Sequence, residues 1–232
     1  MKYVVSLLVG FVTGAALFAI ALFLNPLAGR SALSQLAVSD NGVSSMNYSA
    51  AATEAILLTN NGESVAPPKP NKVSELWEPT IKDTQLLVTS LVDSRGETIG
   101  IGIKVTTPSE DTSLIKSELL VDSIWHLYLP GRGTLGIYQQ EDYWAYMRDI
   151  VVPAWRSSRD SWRGSWSYNM TVGPNALGTG RVVGLGGEFN GVASEAVEML
   201  NAKAYSMQEG PVSMTGIISI KTPSDVQQVA NK

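Results

Sequence analysis

The sequence contains no cysteine and a single histidine, His126. Without cysteine the chain forms no disulfides, so its folded part relies on its own hydrophobic core, which a length of 232 residues allows. A metal site built from His and Cys is not expected. Basic residues are few, and the net charge is −4. This charge argues against a nucleic-acid-binding protein, because such proteins carry a basic face that neutralises phosphates.

Charged residues are also missing from the N-terminal stretch, between Tyr3 and Leu24. As a helix with a rise of about 1.5 Å per residue, this stretch is long enough to span a bilayer core of about 30 Å. We predict an uncleaved signal-anchor over residues 1–24. The alternative is a cleaved signal peptide, although signal peptides normally have a shorter apolar core.

The orientation of this anchor follows from the positive charges on either side of it. Lys2 favours a cytoplasmic N-terminus, although Arg30 lies just past the other end. The C-terminal domain is then extracytoplasmic, and periplasmic if the source is bacterial. Gly10 and Gly14 form a Gly-xxx-Gly pair that would let a helix of a membrane-protein partner pack closely. The alternative is that glycine is simply common in membrane helices.

The rest of the chain divides by composition into a stalk, a β domain and a short tail. Residues 25–76 are rich in Ala, Ser and Pro, include the stiff run 67–70 and favour a short helix near 50–58. We predict a flexible stalk here, a β domain over residues 77–223 and a tail over residues 224–232.

A β-hairpin is the clearest local prediction in the β domain. Residues 86–92 and 98–107 have strand composition, and the turn 93–96 ends in glycine. In the second strand, isoleucine and valine alternate with Gly100, Gly102 and Lys104. This alternation predicts one apolar face and one nearly bare face.

The remaining segments favour further strands and one helix. Residues 114–129 fit either a strand or a helix. A helix is predicted over Glu141–Val152 and ended by Pro153. Glu141 and Asp142 are interpreted as exposed carboxylates at its start, and the alternative is an acid–base role for this pair. Strand-like segments follow at residues 165–172, 181–189, 197–207 and 212–221, the third of which also fits a helix. The predicted fold is mainly β: an N-terminal transmembrane helix followed by an antiparallel barrel or sandwich with one short helix.

One segment resembles a known superfamily. Residues 178–189 read Gly-Thr-Gly-Arg-Val-Val-Gly-Leu-Gly-Gly-Glu-Phe, which resembles the glycine-punctuated strand pair of the allene oxide cyclase/dirigent-like barrels. Val182 stands where those proteins usually have an aromatic residue. The resemblance implies a small closed barrel with a central cavity for an apolar or aromatic ligand, and it implies no catalytic residue.

Tryptophan and arginine are concentrated in the middle of the chain, and no lysine occurs between Lys116 and Lys203. Arginine without lysine favours stacking on aromatic rings and bidentate contacts. We therefore predict a ligand- or partner-binding site. The alternative is that the tryptophans fill the core while the arginines cross its rim. The predicted site residues are Trp144, Trp155, Arg156, Arg159, Trp162, Arg163, Trp166 and His126.

Catalytic motifs are missing from the sequence. Ser-His-acid catalysis through His126 would need a serine nucleophile, and the sequence has no Gly-x-Ser-x-Gly motif to supply one. The glycine clusters lack the strand-turn-helix setting and the lysine of a phosphate-binding loop. No cofactor is expected. We predict a membrane-anchored extracytoplasmic binding module for an apolar or aromatic ligand or a partner protein. Two alternatives remain open: a cofactor-free isomerase or cyclase that acts in a barrel cavity, and an accessory subunit of a membrane complex.

Overall fold

A computed structural model describes residues 2–24, 43–51, 54, 59–60, 63–64 and 83–221 of the chain. Its first element is the helix α1 (Lys2–Leu24). The stretch Tyr3–Ala21 of this helix is long and apolar enough to cross a membrane, and none of it is buried against the rest of the described chain. The expected apolar N-terminal helix is therefore present.

The remainder of the described chain is mostly β structure. The strands, in chain order, are β1 (Val43–Ser49), β2 (Thr59–Asn60), β3 (Glu63–Ser64), β4 (Gln85–Val92), β5 (Thr98–Pro108), β6 (Leu120–Leu129), β7 (Gly133–Asp142), β8 (Ser161–Asn169), β9 (Thr171–Gly173), β10 (Gly180–Gly187), β11 (Ala193–Ser206) and β12 (Gly210–Lys221). The expected hairpin is formed by β4 and β5, and Gly96 in its turn has a φ of +85°. The ambiguous segment 114–129 becomes a short 3₁₀ turn (Leu114–Lys116) followed by strand β6.

Eight of the described strands form a closed antiparallel ring in the order β10-β11-β12-β1-β4-β5-β6-β7, because β7 also pairs with β10. The described strands β7 and β11 do not pair with each other directly, and two pieces of chain bridge them. Strand β10 bridges them at one end. The continuous pair β8 and β9 occupies the other end, with β8 bonded to β11 and β9 bonded to β7. The mainly β, antiparallel prediction is confirmed, and the sheet is a closed barrel.

Strand β5 turns its glycine and lysine face toward the barrel interior and its isoleucine face outward, the reverse of what composition favours. Gly100, Gly102 and Lys104 are buried in the barrel interior, whereas Ile101 and Ile103 are 37% and 39% exposed on the outside. The reason is space, because a Cβ at Gly102 would lie only 2.8 Å from the Trp125 ring. Small residues on β5 therefore make room for a large side chain from β6.

The predicted helix Glu141–Val152 is displaced along the chain. Glu141 and Asp142 end strand β7, and the helical segment begins only after them. It comprises α2 (Trp144–Tyr146), a π-helical stretch (Met147–Val151) and α3 (Val152–Arg156). Asp142 accepts the backbone N–H of Trp144 at 2.9 Å, and Pro153 lies in the first turn of α3, where proline is tolerated.

The range 25–76, expected to be a stalk, contributes strand β1 to the barrel. β1 pairs with β12 on one side and with β4 on the other, and it buries Met46 and Tyr48. Its serine-rich composition hides this role, because Met46 and Tyr48 are the strand's buried residues. The predicted Pro-rich run 67–70, the domain start at 77 and the tail 224–232 lie outside the described residues, as does most of the helix expected at 50–58.

Candidate functional site

A lysine inside the barrel is held between two glutamates. Lys104 on β5 places its Nζ 2.8 Å from the carboxylate of Glu141 on β7 and 2.7 Å from Oε1 of Glu198 on β11. Glu141 and Glu198 are both fully buried, at 0% exposure. Three strands thus bring three charges together in a region closed to water, where each charge interacts strongly with the other two.

Two aromatic donors complete one side of this cluster. The indole N–H of Trp125 donates to Glu198 Oε2 at 2.8 Å, and the Tyr48 hydroxyl donates to Oε1 of the same carboxylate. Lys104 Nζ also lies 5.5 Å from the centre of the Trp125 ring. Tyr48 fits here because residue 216 on β12 is glycine, where a Cβ would overlap the tyrosine ring.

Three polar side chains complete the other side. Gln139 Nε2 donates to Glu141 Oε1 at 3.0 Å and also to Glu198, while the Ser123 hydroxyl donates to Glu141. Thr171 fixes the direction of the glutamine amide: its hydroxyl donates to Gln139 Oε1 at 3.2 Å and accepts the backbone N–H of Glu198 at 2.8 Å. Thr171 thereby keeps the NH₂ of Gln139 facing both carboxylates.

The cluster holds two carboxyl groups for one ammonium. This imbalance shifts the pKa values of the two glutamates in opposite directions. Burial raises the pKa of Glu141, and the nearby negative charge of Glu198 raises it further. Burial also raises the pKa of Glu198, but the charge of Lys104 and hydrogen bonds from Lys104, Tyr48 and Trp125 outweigh it, so this pKa is lowered. Lys104 itself has a raised pKa, because the two carboxylates outweigh its burial. The shared environment thus moves the two pKa values in opposite directions, down for Glu198 and up for Glu141.

A tyrosine lies beside Glu141. Burial, followed by the charge of Glu141, raises the pKa of the Tyr143 hydroxyl. The hydroxyl therefore stays protonated at neutral pH. The pair Glu141 and Tyr143 combines a group that exchanges a proton with a group that donates a hydrogen bond, which are the two roles that acid–base catalysis at a carbonyl compound requires.

Tyr143 also begins a chain of aromatic contacts. Its ring meets Tyr146 edge-on at 5.9 Å, and Tyr146 meets Trp166 at 5.9 Å and Tyr205 at 6.0 Å. Trp166 stacks on Tyr168 with centroids 5.7 Å apart and an angle of 18° between planes. All five rings are half-buried and pack against the interior cluster.

The residues that the sequence analysis selected lie in several different environments. Trp155 is 68% exposed, and Arg156, Arg159, Arg163 and His126 are exposed. Trp162 and Trp166 are half-buried against the core, and Trp144 is buried. Two other arginines of the described chain lie over rings: Arg132 over Phe189 and Arg181 over Tyr138, both at 5.1 Å. Gly10 and Gly14 have open space beside them.

Sequence reasoning missed the charged cluster. Glu141, taken as an exposed residue at a helix start, is wholly buried, and Asp142 is buried beside it. The available signal was a charge within an inward-facing set of small and apolar residues: Lys104 after Gly100 and Gly102, and Glu198 between Ala196 and Leu200. Among the described residues, no group of three or more His, Cys, Asp or Glu that could hold a metal ion occurs.

Comparison with known proteins leaves the family of this chain open. No family model matches it, and no curated protein sequence matches it. Among solved structures, it is similar to the Diels Alderase AbmU from Streptomyces koyangensis, with 13% identity, 83% of this chain and 74% of that chain covered, and a TM-score of 0.35. A nonspecific heme-binding cyclase that catalyzes [4 + 2] cycloaddition during neoabyssomicin biosynthesis has 12% identity, coverage of 83% and 72%, and a TM-score of 0.36. These values are too low to bear on function or on site residues.

Proposed function

We propose that the chain is a membrane-anchored, cofactor-free isomerase or cyclase that moves protons in its barrel interior. The observation that carries this proposal is the placement of Lys104 between Glu141 and Glu198. Burying an ion costs several kcal/mol, and well-packed apolar side chains in place of a buried ion pair are often as stable or more stable. An interior selected for stability alone would use apolar residues at these positions, as it does at Leu127, Leu135 and Ile137.

The proposed chemistry uses Glu141 as the proton carrier. With a β,γ-unsaturated ketone, the Glu141 carboxylate takes a proton from the carbon between the carbonyl and the alkene, giving a dienolate and a carboxylic acid. The dienolate oxygen accepts a hydrogen bond from Tyr143. The acid then returns the proton to the γ carbon, which gives the conjugated ketone and regenerates the carboxylate. A cyclase would use the same base and donor to form and stabilise a carbon nucleophile.

Substrate access in this proposal runs past the helical segment at residues 144–156. The polar residues of the cluster are no more than 5% exposed, so covering side chains must move before a substrate reaches Glu141. The segment follows Glu141 almost directly and places Ile150 in the interior cluster. Its five-residue π-helical stretch is a rare form that often occurs at functional sites.

The test is isomerisation of 3-cyclohexen-1-one and of a bicyclic β,γ-unsaturated ketone, followed by the absorbance of the conjugated product. Glu141→Gln is expected to lower the rate by about 10²- to 10⁴-fold, and Tyr143→Phe by a smaller factor. The exposed Glu97→Gln is the matched control and is expected to keep the wild-type rate. Equal rates for E141Q and E97Q, or no product with either ketone, would contradict the proposal.

A second candidate function is partner binding on the outer surface. It is favoured by the exposed Trp155 together with the exposed Arg156, Arg159 and Arg163, since tryptophan and arginine dominate binding hot spots. Changing the three arginines to lysine keeps the charge but removes planar contacts. A partner co-purified from detergent should then be lost, and its retention would count against this surface.

A further inference from the structure

We infer that the half-buried rings of Tyr146, Trp166, Tyr168 and Tyr205 form a recognition site for an uncharged, planar, conjugated molecule. This inference rests on the proposed function, because it assigns a substrate class to the chemistry at Glu141. We refer to the four rings as the aromatic site. They come from three elements: Tyr146 from α2, Trp166 and Tyr168 from β8, and Tyr205 from β11.

The geometry of the aromatic site suits a flat ligand. Trp166 and Tyr168 are nearly parallel, and Tyr146 lies edge-on to Trp166 at 67°. Tyr205 is also edge-on to Tyr146, at 88°. Stacked and edge-on contacts are the two arrangements that aromatic rings prefer, so a further planar group has both kinds of contact available. Each ring packs on the interior cluster on one side and keeps part of its surface exposed.

The position of the aromatic site links it to the proton carrier. The Tyr146 ring meets the Tyr143 ring edge-on at 5.9 Å, and Tyr143, two residues after Glu141, lies within reach of the charge of that carboxylate. A molecule held on the rings would therefore have one end close to the helical segment that follows Glu141 in the chain. This continuity distinguishes the aromatic site from other exposed apolar residues, such as Ile101 and Ile103 on the outer face of β5.

The charge of the interior selects against anions. Two carboxyl groups face one ammonium at the cluster, and the aromatic site consists of tyrosine and tryptophan rings alone. With Glu141 in the carboxylate form that the proposed reaction requires, an anionic ligand that moved toward it would approach excess negative charge in a region with little water to screen it. The expected ligand is therefore conjugated and neutral.

The inference is tested by equilibrium dialysis of the full-length chain in nanodiscs, with empty nanodiscs as the blank. The probes are 2-acetonaphthone, which is neutral and planar, and 2-naphthoate, which has the same ring system and a negative charge. Trp166→Leu and Tyr205→Leu are each expected to weaken acetonaphthone binding by about five- to tenfold. Trp166→Phe keeps a ring and should retain most of the affinity. Tyr128→Leu, an exposed aromatic position on the outside of β6, is the matched control.

The outcomes separate this inference from the proposed function. Equal acetonaphthone affinities for W166L, Y205L and Y128L, no binding above the blank, or naphthoate binding as tight as the ketone would each overturn it. If the rings control binding but no Glu141-dependent isomerisation occurs, the aromatic site stands and the proposed function fails. If isomerisation depends on Glu141 while W166L and Y205L change neither binding nor KM, the inference fails alone. Circular dichroism of each variant shows that the barrel is intact.

Discussion

Lys104 is the residue on which the interior charges depend. Replacing it by methionine would leave Glu141 and Glu198 buried without a counter-ion, and breaking a buried ion pair in this way costs about 3–5 kcal/mol. Urea unfolding of Lys104→Met should show a loss of this size. Lys203→Met, on the exposed side of β11, is the control and should change stability by about 0.5 kcal/mol or less. Matching midpoints for the two variants would contradict the role of Lys104.

Thr171 acts through its neighbours. Thr171→Val would leave the backbone N–H of Glu198 and the Oε1 of Gln139 without their hydroxyl partner, at about 1–3 kcal/mol for each group. Thr171→Ser keeps the hydroxyl and loses one methyl group, about 1 kcal/mol. Chemical denaturation should therefore rank the serine variant above the valine variant. The reverse order would show that methyl packing at this position matters more than the orientation of Gln139.

At the scale of elements, strand β5 tests whether its isoleucine face lies outside or inside the barrel. Its isoleucines point outward, so Ile103→Thr should cost about 0.5 kcal/mol or less. Leu127→Ala on the neighbouring strand β6 removes an interior side chain and should cost about 2–5 kcal/mol. Denaturation midpoints of the two variants measure the difference. A large loss for Ile103→Thr would place the isoleucine face inside.

The same strand shows how far the sequence could predict the fold. The alternation along β5 and the glycine turn before it were sufficient to predict the hairpin, because they depend on local chemistry. Which face turns inward was not predictable from β5 alone. It depends on the size of Trp125 on β6, whose ring occupies the space beside Gly102. Glu141 and Glu198 were missed for a related reason: their partner Lys104 is distant in sequence and meets them only when the ring closes.

At the scale of the whole molecule, the buried carboxyl groups predict how stability changes with pH. The pKa of Glu141 is raised above its ordinary value of 4.5 in the folded state, so its contribution is fully present below pH 4.5. The contribution is lost as the pH rises through the folded-state pKa. The free energy of unfolding of the wild type, relative to Glu141→Gln, should therefore fall as the pH rises above 4.5. Urea unfolding at a series of pH values measures this, and a difference that is constant or grows with pH would contradict it.

The whole molecule combines an apolar N-terminal helix with a barrel whose interior carries charge. The central claim of this account is that Glu141 carries a proton at pH values where an ordinary glutamate is ionised. Difference infrared spectroscopy of the wild type against Glu141→Gln, titrated between about pH 4 and pH 8, tests it most directly. We predict a protonated-carboxyl band that is absent from the variant and persists above pH 4.5. Loss of that band at or below pH 4.5 would contradict the account.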